Sequence, residues 1–174
     1  MKRFFLYFGR LLIICLFQAF IFERIQIGPF LYPCIYVLFI LLFPFGYHTV
    51  YLLVWAFAIG LITDISATGM LGLHASASVC LALLRPNLLK LVTVKGEVGQ
   101  TATPGLNTLG LTRYVAFVAV SLLIHHAVLF GWENFRLSYL YLTIARIVCS
   151  AALNTLLIVL VQATLFNRKR GFDS

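Results

Sequence analysis

From Ile25 to Thr63 the chain carries no Asp, Glu, Lys or Arg. A helix crosses the roughly 30 Å hydrocarbon core of a bilayer with about 20 mostly apolar residues. The run is therefore too long for one crossing. The heptapeptide LFPFGYH (42–48) divides it, because proline and glycine there favour a tight turn. Two membrane spans are expected from this run, over 29–43 and 47–63.

Composition extends the argument to the whole chain. Of 174 residues, 62% are hydrophobic and 10% charged, with a mean hydropathy of +1.01. A soluble domain carries roughly 25% charged residues, so there is too little polar surface here to coat a water-soluble globule. The N-terminus, MKRFFLYFGRLLIICLFQAFIFERIQIG, opens as a secretory signal does, but no A-x-A-like cleavage site follows. Bulky Ile13 and Ile14 before Cys15 argue against a lipoprotein cysteine. A retained signal-anchor helix over 4–22 is the expectation. Three further apolar stretches predict spans over 69–84, ended by Arg85-Pro86, over 114–130 and over 138–166. The expected fold is an all-α integral membrane bundle of about six transmembrane helices, one multi-pass domain over 1–174.

Basic residues set the expected orientation, since cytoplasmic segments are enriched in Lys and Arg. With both termini inside, Lys2, Arg3, Arg10, Arg85, Lys90, Lys95, Arg113, Arg168, Lys169 and Arg170 share the inner face. Arg24 and Arg136 lie outside and Arg146 falls within the last span. The +8 net charge is then topological, with the C-terminal cluster near anionic membrane lipids. No nucleic-acid partner is expected, because aromatics and basic residues do not interleave as in a nucleic-acid groove. The 85–113 segment reads as the one sizeable cytoplasmic loop, with NLLKLVTV as a short interfacial piece. It holds no nucleotide fingerprint, and any energy source belongs to a partner.

The polar residues at membrane depth are costly and are expected to face the protein interior. Asp64 lies about 25 Å along its helix at 1.5 Å per residue, near the outer interface. Gly60, one turn below, admits a neighbouring backbone, and Gly69, Gly72, Ala75, Ser76, Ala77, Ser78 and Ala82 give the next helix a face of small residues. Asp64 reads as a cap for the turn before that helix, or as a ligand or partner contact. His125 and His126 are about 100° apart on a helix, while His126 and Glu133 are close to two turns apart and can share a face. The H-E-x-x-H spacing of a zinc site is absent. The four cysteines are scattered singly through apolar runs and read as small buried hydrophobes. No metal and no cofactor is expected, and no catalytic set is assembled by spacing. Arg146 shares a face with Thr143, Ser150 and Asn154 and wants a carboxylate, either Asp64 or Glu133.

Two stretches carry a family resemblance. WAFAIGLITDISATGMLGLHASAS resembles the Gly-x-x-x-Asp…Gly-x-x-Gly-x-His region of the rod shape-determining protein MreD family. RYVAFVAVSLLIHHAVLFGWENF (113–135) is similar to that family's fifth helix. The family pattern matches Gly60, Asp64, Gly69 and Gly72 after the third span, and His125, His126 and Glu133 in the fifth. Arg146 and the 85–113 loop match no family motif.

The resemblance implies a non-enzymatic scaffold of the cell-elongation machinery in the bacterial inner membrane. Its implied partners are an MreC-like single-span periplasmic protein and, indirectly, an MreB-like filament, a peptidoglycan glycosyltransferase and a penicillin-binding transpeptidase. It also implies a fold similar to the substrate-binding subunits of energy-coupling-factor transporters. The alternative function is a small-molecule-binding subunit of a vitamin-type transporter, with Asp64, His125, Glu133 and Arg146 lining an outward-facing pocket.

Overall fold

The computed structural model describes residues 31–68, 70–94, 98–99, 102–133 and 140–170, with Gly9, Ile13, Ile14 and Gln18 of the N-terminal segment. The described residues are helical throughout their regular parts, with no strand among them. The order is α1 (Val37–Leu41), α2 (Thr49–Thr63) continued by a π-helical turn (Asp64–Thr68), α3 (Leu73–Val92), α4 (Leu106–Glu133) and α5 (Leu140–Arg170). Four helices are long and apolar enough to cross a membrane: Thr49–Ser66, Leu73–Val92, Leu106–Glu133 and Leu140–Thr164. This is a multi-pass membrane protein built from helices. The expected first span (4–22) and Gly69 lie outside the described residues, apart from the four N-terminal positions just named, each of which is helical.

The outer surface follows from that setting. Tyr51 (64% exposed), Val54 and Phe57 point outward from α2, and Tyr141, Ile144, Val148, Leu156 and Leu160 do so from α5. Such continuous apolar surface is stable against lipid or another protein, not against water. The core lies around α1. Cys34, Tyr36, Val37, Ile40 and Leu41 are wholly buried and are packed by Leu52, Ala56 and Ile59 of α2, Leu81 and Ala82 of α3, Phe117, Val118 and Leu122 of α4, and Ala151 and Ile158 of α5.

The segment that provides this core corrects the sequence reading of 29–43 as a full spanning helix. Residues 31–35 are not helical, and α1 is five residues long. Pro33 cannot donate an N–H and holds its neighbour away from the helical region. Backbone left unpaired at this depth costs several kcal/mol per group, so other side chains replace the missing helical bonds. Ser150 Oγ accepts from the Tyr32 N–H (3.1 Å), and Asn154 Oδ1 accepts from the Cys34 N–H (2.7 Å). Gln18 Oε1 accepts from the Ile35 N–H (2.9 Å). Asn154 Nδ2 and Gln18 Nε2 donate to the carbonyls of Tyr32 (2.7 Å) and Pro33 (3.2 Å). At the other end of α1, Arg85 Nη2 donates to the carbonyls of Leu41 and Phe43, groups that a helix C-terminus leaves unpaired.

Arg85 and Pro86 bring a second correction. They were expected to end a helix at residue 84 and open the 85–113 loop, with Arg85 on the inner face. Arg85 is instead buried, and α3 continues through Pro86 to Val92. A mid-helix proline costs about 3 kcal/mol. Packing of the buried Leu89 beyond it, and the Arg85 bonds to the Leu41 and Phe43 carbonyls, offset that cost. The loop shrinks from its far end too, because α4 begins at Leu106, with a kink at Gly110 (φ 73°, ψ 167°).

Candidate functional site

Two polar clusters lie in the apolar interior and meet at the non-helical segment. The first is the corner between α2 and α3. A Cβ on Gly60 would fall 2.5 Å from Ala75 Cα, so glycine is what lets the two helix backbones touch. Gly72 sits at φ 103° in the left-handed region and starts α3, a position that disfavours a side chain. Asp64, wholly buried, then receives the free N–H groups of the new helix. Oδ2 accepts from Gly72 N (2.8 Å) and Ala75 N (3.2 Å), and Oδ1 from His74 N (2.7 Å). The negative charge lies where the helix dipole is positive. Asp64 is thus the cap that its place in the sequence suggested.

His74 extends the corner inward. Its Nδ1 lies 3.0 Å from Asp64 Oδ1, and its Nε2 lies 3.1 Å from Tyr32 Oη. With Nδ1 donating to the carboxylate, Nε2 is left to accept from the Tyr32 hydroxyl. The chain Asp64–His74–Tyr32 therefore ties the α2–α3 corner to the start of the non-helical segment.

The second cluster surrounds the other end of that segment. His125 and His126 are wholly buried on α4, with ring centroids 5.3 Å apart. As their 100° separation requires, they reach different partners. His125 Nε2 meets Tyr36 Oη at 2.7 Å, and His126 Nε2 meets Asn154 Nδ2 at 3.1 Å. Cys34 lies between them: its Sγ and one ring nitrogen of each histidine are all within 4.8 Å of one another.

His126 and Glu133, two turns apart on α4, take different partners. Glu133 takes Arg146, whose Nη1 lies 3.0 Å from both carboxylate oxygens. Of the two carboxylates open to Arg146, Glu133 is the one it reaches. The pair is partly exposed, at 26% and 35%, and it ties the end of α4 to the start of α5. Arg146 also lies over the Phe130 ring, 4.3 Å from its centroid, and His126 stacks near the same ring at 5.4 Å.

The structure thus gathers Gly60, Asp64 and Gly72 at one corner, His125 and His126 in the core, and Glu133 with Arg146 at one edge. Asp64, His125, Glu133 and Arg146 line neither of two surface cavities, one an apolar groove of about 460 Å³ between α4 and α5, the other along 108–113. Sequence reasoning missed Gln18, Tyr32, Cys34 and Tyr36 as polar participants and placed Arg85 in a loop. Pro33 inside an apolar run was the one local sign of a broken helix. Thr143, Ser150 and Asn154 are buried together as their spacing implied. Compared with protein-family models, curated proteins and solved structures, the chain matches none of them.

Proposed function

We propose that this protein is a non-enzymatic membrane scaffold of the MreD kind, working in the cell-elongation machinery of a bacterial inner membrane. In this reading it crosses the bilayer six times with both termini in the cytoplasm. It receives an MreC-like single-span partner on its apolar flank. Through that assembly it acts with an MreB-like filament, a peptidoglycan glycosyltransferase and a penicillin-binding transpeptidase. The basic C-terminal cluster faces anionic headgroups.

One observation supports this reading above others: the family-like polar residues are spent on the protein's own architecture. Gly60 and Gly72 shape a helix crossing, Asp64 caps α3, and His125 joins α4 to the core segment. Large apolar side chains remain outward on α2 and α5, where partner helices and lipid compete. Without a hydrophobic driving force in lipid, such association rests on packing.

A transporter subunit similar to those of energy-coupling-factor systems is the second reading, and the broken helix at 31–35 is what favours it. Discontinuous membrane helices commonly present free backbone groups to a solute. Here the Tyr32 and Pro33 carbonyls are occupied by Asn154 and Gln18, which favours the scaffold. Depletion in the native cell separates the two. Rounding of rods, with recovery of a single-span periplasmic protein on purification, is expected. Normal shape with loss of one vitamin's uptake would replace the scaffold by the transporter.

A further inference from the structure

We infer that Cys34, His125 and His126 form a buried coordination site for a thiophilic monovalent cation, Cu⁺. The inference is independent of the scaffold reading. The donor set comes from two elements brought together by the broken helix: the thiol from the non-helical segment, the imidazoles from adjacent positions of α4. Their ligand atoms lie within 4.8 Å of one another. Ligand distances of the order known for zinc, about 2.3 Å to sulfur and 2.0 Å to nitrogen, correspond to donor separations of about 3.5 Å, so the three donors would have to draw together on binding.

Two further observations point to a ligand. His125 Nδ1 and His126 Nδ1 are buried with no hydrogen-bond partner among the described residues, although buried polar atoms are nearly always paired. The surroundings also orient the donors as outer groups do at metal centres. Tyr36 Oη meets His125 Nε2 and can accept its N–H, which leaves the lone pair on Nδ1, and Asn154 holds the Cys34 backbone. Asn154 has two amide hydrogens facing three acceptors, and the Tyr32 and Ser150 carbonyls at 2.7 and 2.8 Å are nearer than His126 at 3.1 Å. The Nε2 contact of His126 is thus the weakest of the three, and its Nδ1 has no partner among the described residues.

Charge selects the ion. The acidic groups among the described residues are committed elsewhere, Asp64 to the α3 N–H groups and Glu133 to Arg146. The one donor that becomes anionic is the Cys34 thiolate. Cu⁺ with one thiolate and two neutral imidazoles is electrically neutral, whereas Zn²⁺ would leave an uncompensated positive charge in the core, which is costly. Thiolate ligands also suit Cu⁺. Binding exchanges one proton for one ion: the thiol S–H breaks, the S–Cu bond forms, and the proton leaves to solvent. No electron is transferred.

The test uses full-length protein in detergent with Cys15, Cys80 and Cys149 changed to Ser, leaving Cys34 as the sole thiol. Cu⁺ is supplied with ascorbate in the absence of oxygen and then challenged with a Cu⁺ chelator. About one copper per chain, released with one proton per ion on loading, is expected. X-ray absorption should show one sulfur and two imidazole nitrogens around it, a readout that needs no substitution at the site. Cys34→Ser and His126→Ala, each verified as helical and monodisperse, should weaken retention by at least about 100-fold, and Asn154→Ala by about 10- to 100-fold. Folded protein that retains no copper, or a Cys34→Ser variant that retains as much, overturns the site. Zn²⁺ that displaces Cu⁺ in a Cys34-dependent way overturns the choice of ion.

Discussion

Gly60 and Ala75 meet backbone to backbone. The nearest atoms to a Cβ at position 60 are Ala75 Cα at 2.5 Å, with Ala75 N and the His74 carbonyl oxygen both at 2.7 Å. None is the flexible end of a side chain, so an added methyl group must push α2 and α3 apart. Gly60→Ala is expected to destabilise the protein by about 1–3 kcal/mol. Unfolding in mixed micelles checks it, and an unchanged midpoint would mean that the two helices part at little cost.

Asp64 serves the same corner by electrostatics. Asp64→Ala leaves the N–H groups of Gly72, His74 and Ala75 without the acceptor they have now. Each buried unsatisfied donor costs about 1–3 kcal/mol. Amide hydrogen exchange at 72–75 should accelerate strongly while protection in α4 and α5 is kept, and the protein should still insert. Asp64→Asn, which retains one carbonyl oxygen, should fall between. Wild-type exchange in the alanine variant would remove the capping role.

Asn154 clamps the non-helical segment through the Cys34 N–H and the Tyr32 carbonyl. Asn154→Leu keeps the volume and removes both bonds, at an expected cost of about 2–5 kcal/mol. The wild-type thiol of Cys34 is wholly buried, so its maleimide labelling should be slow and should speed up in the variant. Asn154→Asp, which still accepts from Cys34 but cannot donate to Tyr32, should restore part of the protection. Equal labelling rates in all three proteins would count against the clamp.

The Glu133–Arg146 pair should matter less. Both side chains are partly exposed, and such pairs are worth at most about 1 kcal/mol. Arg146 also covers the Phe130 ring, a contact worth about 0.5–1 kcal/mol. Arg146→Gln is therefore expected to cost more than Glu133→Gln. A double-mutant cycle on unfolding gives the coupling directly, and a coupling above about 2 kcal/mol would show that the pair is effectively desolvated.

What could be read from the sequence was what is encoded locally. Apolar length marked α2, α4 and α5, and the Gly60–Asp64–Gly72 spacing marked a polar corner, because a cap and its helix are neighbours in the chain. Arg146 was narrowed to two carboxylates by helical depth alone. The broken segment was not legible, because its hydrogen-bond partners are not its helical neighbours: Ser150 and Asn154 lie 118 to 122 residues away, and Gln18 lies in the preceding segment. Cys34 read as a small hydrophobe because nothing near it in sequence is a ligand. Arg85 read as a loop residue because a guanidinium is normally solvated; only the folded chain brings it the carbonyls of Leu41 and Phe43. Pro86 read as a stop for a related reason, since burial of Leu89 is a tertiary effect.

The dependence of residues 31–35 on Ser150 and Asn154 also dictates an order of events during biosynthesis. This segment enters the bilayer with amide groups that no local turn can saturate; Gln18 is already made, but the partners of the Tyr32 and Cys34 groups emerge from the ribosome more than a hundred residues later. Until then this stretch must stay in the insertion machinery or in contact with headgroup water. Helix α5 is thus the one that closes the interior.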